Sequence, residues 1–354
     1  MKKKKLIICI SILFLISNCA YKDFKKAQMF EESEDYHSAA KYYQKVILRD
    51  KKNTKAYLGL ADALYGIAIK RSIDVDFIEK DWLNAARSLE VAVELPDKNV
   101  SVRKNNLGNT YKVLSSIYLK EENYPKAEDY ALKAKEYLTN EAEIYFNLGF
   151  LKYKDNQIDS AIEYYNQALK INQNLYEVKV NLALLYKEQN QFSESEKILK
   201  TALNSDTNNY SPELLLTEIY LINNEIAKAK DIIKLVKVEN IKNNLLKSNY
   251  YNYLGIIDLE EKNEINAFEN FKQAIRYNFW NYKARVNAAK IFYNRGEYQT
   301  ALLELKTSLE QKPDDIEIIN FMALSYIGLN DYKNAEQILV RAFKLSPKNP
   351  DVLK

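Results

Sequence analysis

Apolar positions recur along the chain at a fixed interval, and this recurrence organises the whole sequence. One apolar position recurs at Leu114, Leu148, Leu182, Leu216, Leu254, Ala288 and Met322. A small residue recurs at Ala127, Ala161, Ser195, Ala229, Ala267, Ala301 and Ala335. In both series every step is 34 residues except a single step of 38. Because two independent positions share one period and one interruption, the pattern indicates an array of structural repeats.

One period, from Ala142 to Leu175, predicts two antiparallel helices joined by a turn. Gly149 and Ala161 are placed where the two backbones approach too closely for a larger side chain, and Leu148 fills the space around that contact. A single helix pair cannot bury its apolar face, so each pair is expected to pack on the next and to extend one core.

The residues at fixed places within this block carry a family resemblance. They are Tyr145, Leu148, Gly149, Tyr153, Ala161, Tyr165 and Ala168. This pattern resembles the 34-residue tetratricopeptide repeat, abbreviated TPR. The resemblance implies an all-α fold, a right-handed α-solenoid of about nine TPR helix-turn-helix repeats. The low content of 7 Gly and 6 Pro agrees with an all-helical class.

The repeats are interrupted at two places near the start of the array. Repeats 1 and 2 are predicted over residues 20–99, with an insertion around 67–80 that contains Asp74 and Asp76 in a loop. An inter-repeat extension follows over 100–107, from Val100 to Leu107. Repeats 3 to 9 are predicted over 108–349, and residues 350–354 form a C-terminal tail.

The N-terminal segment has the order of features typical of a secretion signal. Four lysines, Lys2 to Lys5, precede an apolar run from Leu6 to Ile16, and its 11 residues are too few to span a bilayer as a helix. The following Leu15-Ile16-Ser17-Asn18-Cys19 resembles the lipobox of bacterial lipoproteins, with Asn18 where a smaller residue is usual. The alternative is an uncleaved hydrophobic anchor.

The lipobox resemblance implies a lipoprotein signal peptide over 1–18 and lipidation of Cys19. Residues 19–23 would then form a short lipid-anchored tether before the first helix. The expected location is the cell envelope. The outer membrane is favoured over the inner membrane because Ala20 is not the acidic residue that, in some families, retains lipoproteins in the inner membrane.

Composition argues against nucleic-acid binding and against catalysis. The four lysines of the signal account for the whole net charge of +4, so the mature chain has no general attraction for phosphate. The only cysteine besides Cys19 is Cys9, which lies in the signal. The sole histidine, His37, is expected to be a solvated surface residue. The sequence contains no phosphate-binding glycine motif and no zinc-ligand spacing. We expect no enzyme activity, no catalytic residue, no metal and no cofactor.

The TPR resemblance implies that the first helix of each repeat lines a groove for an extended peptide or a helix. Carried over by position, the groove residues are Phe146, Asn147, Phe150, Tyr153, Asn181, Leu184, Asn252, Ile256, Asn287, Tyr293, Asn320 and Leu324. Asparagine amides would hydrogen-bond a peptide backbone, and aromatic rings would supply contact area. The two-carboxylate clamp of chaperone-binding TPR proteins is not expected, since Glu177 stands at one of its basic positions.

The sequence therefore predicts a lipid-anchored, non-enzymatic scaffold or adaptor that binds an unidentified envelope protein. Two alternatives belong to other classes. One is an enzyme or sugar-binding protein with its site in the 67–80 insertion. The other is a structural lipoprotein that self-associates through an uncapped C-terminal helix, where Ile338, Leu339 and Phe343 would be exposed.

Overall fold

The computed structural model describes residues 18–74, 79–203 and 210–345, and every regular element in these ranges is a helix. The helices are α1 (18–32), α2 (Tyr36–Arg49), α3 (Thr54–Asp74), α4 (Glu79–Val93), α5 (Val100–Lys120), α6 (Tyr124–Tyr137), α7 (Ala142–Lys154), α8 (Ile158–Ile171), α9 (Tyr176–Glu188), α10 (Phe192–Lys200), α11 (Ser211–Ile222), α12 (Ile226–Ile233), α13 (Asn244–Glu260), α14 (Glu264–Tyr277), α15 (Tyr282–Asn294), α16 (Tyr298–Gln311), α17 (Ile316–Gly328) and α18 (Tyr332–Leu345). A short 3₁₀ helix, Val238–Asn240, precedes α13.

These helices form nine consecutive pairs within the described ranges, so the expectation of about nine repeats is confirmed. The chain divides into two compact units, one ending at Val178 and the other starting at Lys179. In each unit a helix pair packs on its sequence neighbours, as in α4 on α5 and α16 on α17. The periodic positions lie in the resulting cores: Leu114, Leu148, Leu182 and Leu216 are fully buried, whereas Leu254 is half-buried at the border of its core.

The close helix approach predicted at Gly149 is present. A Cβ atom on Gly149 would lie 2.5 Å from Cδ1 of Tyr165, which belongs to the second helix of the same pair. Gly255 stands in the same relation to Phe271, at 2.6 Å from Cε1. Since Tyr165 and Phe271 are almost fully buried, these rings have little room to move away from a larger side chain.

The turn inside the helix pair has one recurring conformation in the eight pairs whose turn the structure describes. A residue with positive φ lies one place before the second helix's N-cap at Glu34, Glu122, Asn156, Asn190, Asn224, Lys262, Gly296 and Asn330. In the α7–α8 turn the N–H of Asn156 donates to Tyr153 and the N–H of Gln157 donates to Lys152, at 3.0 and 2.8 Å. These two hydrogen bonds end the first helix at a residue with left-handed backbone angles, a conformation that favours Gly or Asn.

The two irregularities near the start of the array lengthen helices. The insertion around 67–80 continues α3 to Asp74, and Glu79 begins α4. Asp74 was predicted in a loop and is instead the last residue of a 21-residue helix, while Asp76 lies outside the described residues. Residues 100–107 form the first turns of α5, also 21 residues long.

The extended start of α5 is fixed by a buried ion cluster. Arg103 is 7% exposed, and its guanidinium lies 2.5 Å from Asp62 of α3 and in contact with Asp97. A buried arginine requires such compensation, because an unpaired charge in a core is costly. The extension therefore packs as part of the first unit.

Cys19 is an exposed free cysteine in the first described turn of α1. The predicted tether over 19–23 is also helical and packed: Ala20 is buried, and Asp23 forms an ion pair with Arg49. No described helix is both long and apolar enough to cross a bilayer. Residues 1–17 and the tail 350–354 lie outside the described residues.

Candidate functional site

The second unit contains a cleft of about 320 Å³ formed by the first helices of four successive pairs. It is lined by residues of α11, α13 and α15 and by the start of α17. Three residues of the predicted groove meet there: Asn252, Ile256 and Asn287. The repeat register therefore brings side chains from two different helices to one surface.

An amide pair crosses the cleft between α13 and α15. Nδ2 of Asn287 donates to Oδ1 of Asn252 at 3.2 Å, and Asn252 is 2% exposed. This bond uses one N–H of Asn287 and the oxygen of Asn252. The carbonyl of Asn287, which is only partly buried, keeps its acceptor capacity, because an amide side chain carries both donors and acceptors.

One wall of the cleft holds an ion network that the sequence did not predict. Glu218 of α11 is buried and accepts from Lys187 at 2.7 Å and from Lys283 at 2.9 Å. Burial acts to raise the pKa of Glu218, but the two lysine charges and their hydrogen bonds outweigh it, so the pKa lies below its ordinary value. The carboxylate is therefore ionised and compensated.

Tyr253 completes this network on α13. Burial and its hydrogen bond to Glu218 raise the pKa of the Tyr253 hydroxyl well above its usual value. The hydroxyl thus remains a neutral donor to the carboxylate. The four residues of the network, Lys187, Glu218, Tyr253 and Lys283, lie on α9, α11, α13 and α15. From the sequence, they could have been grouped only by comparing groove positions between repeats.

The rest of the cleft is apolar or exposed. Leu221, Ile222, Ile256 and Val286 line it, and Ile222 is 54% exposed. The side chain of Lys283 is 51% exposed, so its charge also reaches solvent. A surface that combines apolar side chains with amide donors and acceptors suits a peptide segment better than a small polar molecule.

The groove residues predicted on α7 lie in the first unit and partly serve packing. Asn147 is buried, while Phe146 and Phe150 are half-buried against Tyr165 and Tyr124, with ring centroids 6.0 and 6.4 Å apart. Tyr153 is 38% exposed.

A neighbouring cleft of about 600 Å³ lies between α5 and α7. Its lining includes Lys112, Ser116, Ile117 and Glu143, but none of the groove residues predicted on α7. Lys112, one position of the chaperone-type clamp, lies 3.4 Å from Glu143 and 3.5 Å from Glu141.

The remaining predicted groove residues lie outside these clefts. Asn181 and Leu184 are half-buried on α9, and Tyr293 packs edge-on against Phe321 at 6.1 Å. Asn320 is half-buried and Leu324 is 41% exposed on α17. The structure thus brings together three of the predicted groove residues of the second unit and separates the others.

Beside the insertion lies a polar cleft of about 300 Å³ whose lining includes His37, Lys41, Lys80 and Asn84. His37 is exposed, as expected for a surface histidine. Within residues 18–74, 79–203 and 210–345, no group of three or more His, Cys, Asp or Glu side chains is arranged to hold a metal ion.

Comparison with known proteins identifies the repeats. Tetratricopeptide repeat family models match residues 24–66, 152–213 and 316–349. No curated protein matches the chain in sequence.

A solved structure shares the fold. The crystal structure of the APC/C hetero-tetramer Cut9-Hcn1 is similar with a TM-score of 0.57 and 13% identity, over 94% of this chain and 74% of that chain. A tetratricopeptide repeat protein from Parabacteroides merdae has a TM-score of 0.47 and 17% identity, over 74% of this chain and 98% of its own. The chain is therefore an all-α protein that contains tetratricopeptide repeats in the matched ranges.

Proposed function

We propose that this protein is a non-enzymatic scaffold that binds a segment of a partner protein in the cleft of its second unit. The proposal is carried by the convergence of Asn252, Ile256 and Asn287 in that cleft. An N–H of the peptide backbone would donate to the side-chain carbonyl of Asn287, and apolar partner side chains would cover Ile222 and Ile256.

The charge of the cleft shapes the partner that it accepts. In this wall the single carboxylate of Glu218 faces two lysines, Lys187 and Lys283. Asp315 and Glu317 add acidic charge where α17 begins, so neither sign of charge dominates in the cleft. A partner segment with alternating apolar and uncharged polar residues fits this wall without leaving a buried charge unpaired.

We further propose that the scaffold is a lipoprotein of a bacterial cell envelope, attached through Cys19 and located preferentially at the outer membrane. The exposure of Cys19 at the start of a packed helix supports this proposal. Because Ala20 and Asp23 belong to the folded unit, the lipid would hold α1 close to the bilayer surface.

Site-specific photocrosslinking in intact cells tests the partner-binding proposal. A photoreactive residue at Ile222, in the cleft, is expected to capture the partner. Ile265 is a matched control, since it is 79% exposed on α14 and lies outside the cleft lining. Equal capture at both positions, or capture at Ile265 only, would refute binding in this cleft. The double change Phe146→Ala and Phe150→Ala tests in the same way whether the first unit contributes.

Self-association through α18 is a second candidate, favoured by a specific surface. An open cleft of about 650 Å³ runs along this helix, and Val340 and Phe343 are 47% and 50% exposed beside it. Contiguous apolar exposure of this kind is typical of a contact surface. Light scattering of the wild type and of Phe343→Asp tests it. An unchanged monomeric mass for both at high concentration would reject this candidate.

A further inference from the structure

An exposed aromatic pair occupies the loop between α14 and α15. Phe279 and Trp280 are 56% and 50% exposed, and their ring centroids lie 4.9 Å apart at nearly a right angle. Each ring offers a large apolar area to solvent, which is unusual for side chains of this size. The pair lies outside the cleft lining, so the proposed partner-binding site does not account for it.

The loop is held rigidly from beneath by Arg285. The guanidinium carbon lies 4.2 Å from the Phe279 ring centroid, and Nε donates to the Phe279 carbonyl at 2.8 Å. Arg285 is itself 5% exposed and forms an ion pair with Glu304. The ion pair between Arg285 and Glu304 therefore holds the Phe279 ring in its exposed position.

Two asparagines fix the rest of the loop. Asn278 accepts from the backbone N–H of Trp280 at 3.1 Å, and Asn281 accepts from the N–H of Ala284 at 3.0 Å. The Asn281 amide also donates to Ser248 at 2.8 Å. Because these hydrogen bonds already order the loop, little conformational entropy would be lost when the two rings leave water for another environment.

Neighbouring loops at the same edge of the second unit add apolar and basic groups. We define the loop edge as residues 234–245, 278–281 and 312–315, which connect second helices to the first helices that follow. Leu235 and Leu245 are each 54% exposed there, and Lys237, Lys242 and Lys312 are exposed. With Lys234, the loop edge has four lysines against the three acidic residues Glu239, Asp314 and Asp315, which gives a net charge of +1. Asp315 also caps α17, and Asp314 lies 3.6 Å from Arg341.

We propose that the loop edge of the second unit rests on an anionic lipid bilayer, with Phe279 and Trp280 inserted into the headgroup region. Leu235 and Leu245 lie on one loop, with lysines between them in the sequence, and the two aromatic rings lie on another. This distribution suits a broad interface that combines apolar insertion with attraction to anionic headgroups. The inference rests on the proposed envelope location and is independent of what the cleft binds.

The test uses the full chain incorporated into vesicles. Only two tryptophans are present, and Trp82 is 4% exposed, so Trp280 is the one that can report on its surroundings. The variant Trp280→Phe supplies the background emission of Trp82. Vesicles of phosphatidylcholine with phosphatidylglycerol, with and without brominated acyl chains, are compared with vesicles of phosphatidylcholine alone.

The expected result is a blue shift and loss of Trp280 emission with brominated lipid in the anionic vesicles. Lys242→Glu with Lys312→Glu should reduce that loss. The matched pair Lys306→Glu with Lys333→Glu makes the same charge change away from the loop edge, at two other exposed lysines, and should not.

Three other results would overturn the inference. If the chain floats with the vesicles but Trp280 stays unquenched and accessible to iodide, membrane contact by the loop edge is rejected, whereas the membrane location of the chain is not. Shielding of Trp280 from iodide without quenching by brominated lipid would indicate a protein contact there. A chain that does not float would reject the membrane location as well, whereas crosslinking at Ile222 would still report separately on the cleft.

Discussion

The side-chain amide of Asn287 donates to the side-chain oxygen of Asn252, 3.2 Å away on the neighbouring first helix. Both residues belong to the series of asparagines expected to bind a peptide backbone. Each is already oriented by the other, so a partner would meet a pre-formed pair of amides.

Removing the donor of this pair should destabilise the second unit. Asn287→Ala leaves the oxygen of Asn252 buried without its hydrogen bond, and we expect a loss of about 1–3 kcal/mol in the free energy of unfolding. Urea denaturation followed by circular dichroism measures it. Asn266→Ala, at an exposed position of α14, is the control and should change little. Equal effects of both substitutions would contradict a structural role for the pair.

Acidification should act through Glu218. Its pKa is lowered in the folded protein from an ordinary 4.5, because the two lysines outweigh the effect of burial. Its contribution to stability is therefore complete above about pH 4.5 and is lost as the pH falls through the folded pKa. Glu218→Gln should lower the free energy of unfolding at pH 7 by roughly 1–3 kcal/mol and should weaken its dependence on acid.

Glu213, on the same helix, provides a control of opposite sign. Burial raises the pKa of its carboxyl group, so its contribution is complete below the unfolded pKa and is lost as the pH rises through the folded value. Glu213→Gln should therefore be neutral or stabilising at pH 7. Urea titrations at pH 7 and pH 4 separate the two residues, and a loss of stability at pH 7 from both would refute the charge assignment.

The left-handed turns predict the sign of two further substitutions. Glu122 has φ of 57° and Lys262 has φ of 62°, a conformation that favours glycine. Glu122→Gly should stabilise the chain by about 1 kcal/mol. Gly296→Ala, at φ of 78°, should destabilise it by a similar amount although its surroundings are open. Thermal unfolding compares them, and stabilisation by Gly296→Ala would show that the backbone angle is not what matters.

Packing at the repeat joint is tested by two leucines of the first unit. Leu148 is fully buried and Leu48 is 78% exposed. Leu148→Ala should cost about 2–5 kcal/mol, because it removes transfer energy and leaves a cavity, and Leu48→Ala should cost almost nothing. The emission of Trp82, which is buried in this unit, follows the unfolding. A small effect of Leu148→Ala would mean that the periodic position does not carry the core.

The helix pairs could be predicted because their register depends on contacts between positions that the sequence repeats. Gly149 with Tyr165 is such a contact. The left-handed turn angle is different, because residue type alone does not predict it. Asn156 and Asn190 are of the usual type, whereas Glu34, Glu122 and Lys262 adopt the same angle without it.

Other features could not be predicted from the sequence of a single repeat. The Glu218 network joins residues 187 to 283 across four helices, so no single repeat contains its pattern. The insertion was predicted as a loop because it breaks the spacing, whereas its own apolar residues, including buried Ile67 and Ala68, continue α3. Phe279 and Trp280 follow α14 at the place where a later repeat has Pro313, and their exposure depends on Arg285 beneath them.

Two second helices are markedly shorter than the others. Helix α10 has 9 residues and α12 has 8, whereas α14, α16 and α18 each have 14. In an array where every hairpin is held only by its neighbours, a short helix forms a weaker joint than a long one. Amide protons of α10 and α12 should therefore exchange with solvent ahead of those in α13 to α16, which makes these two helices the place where the stack opens first.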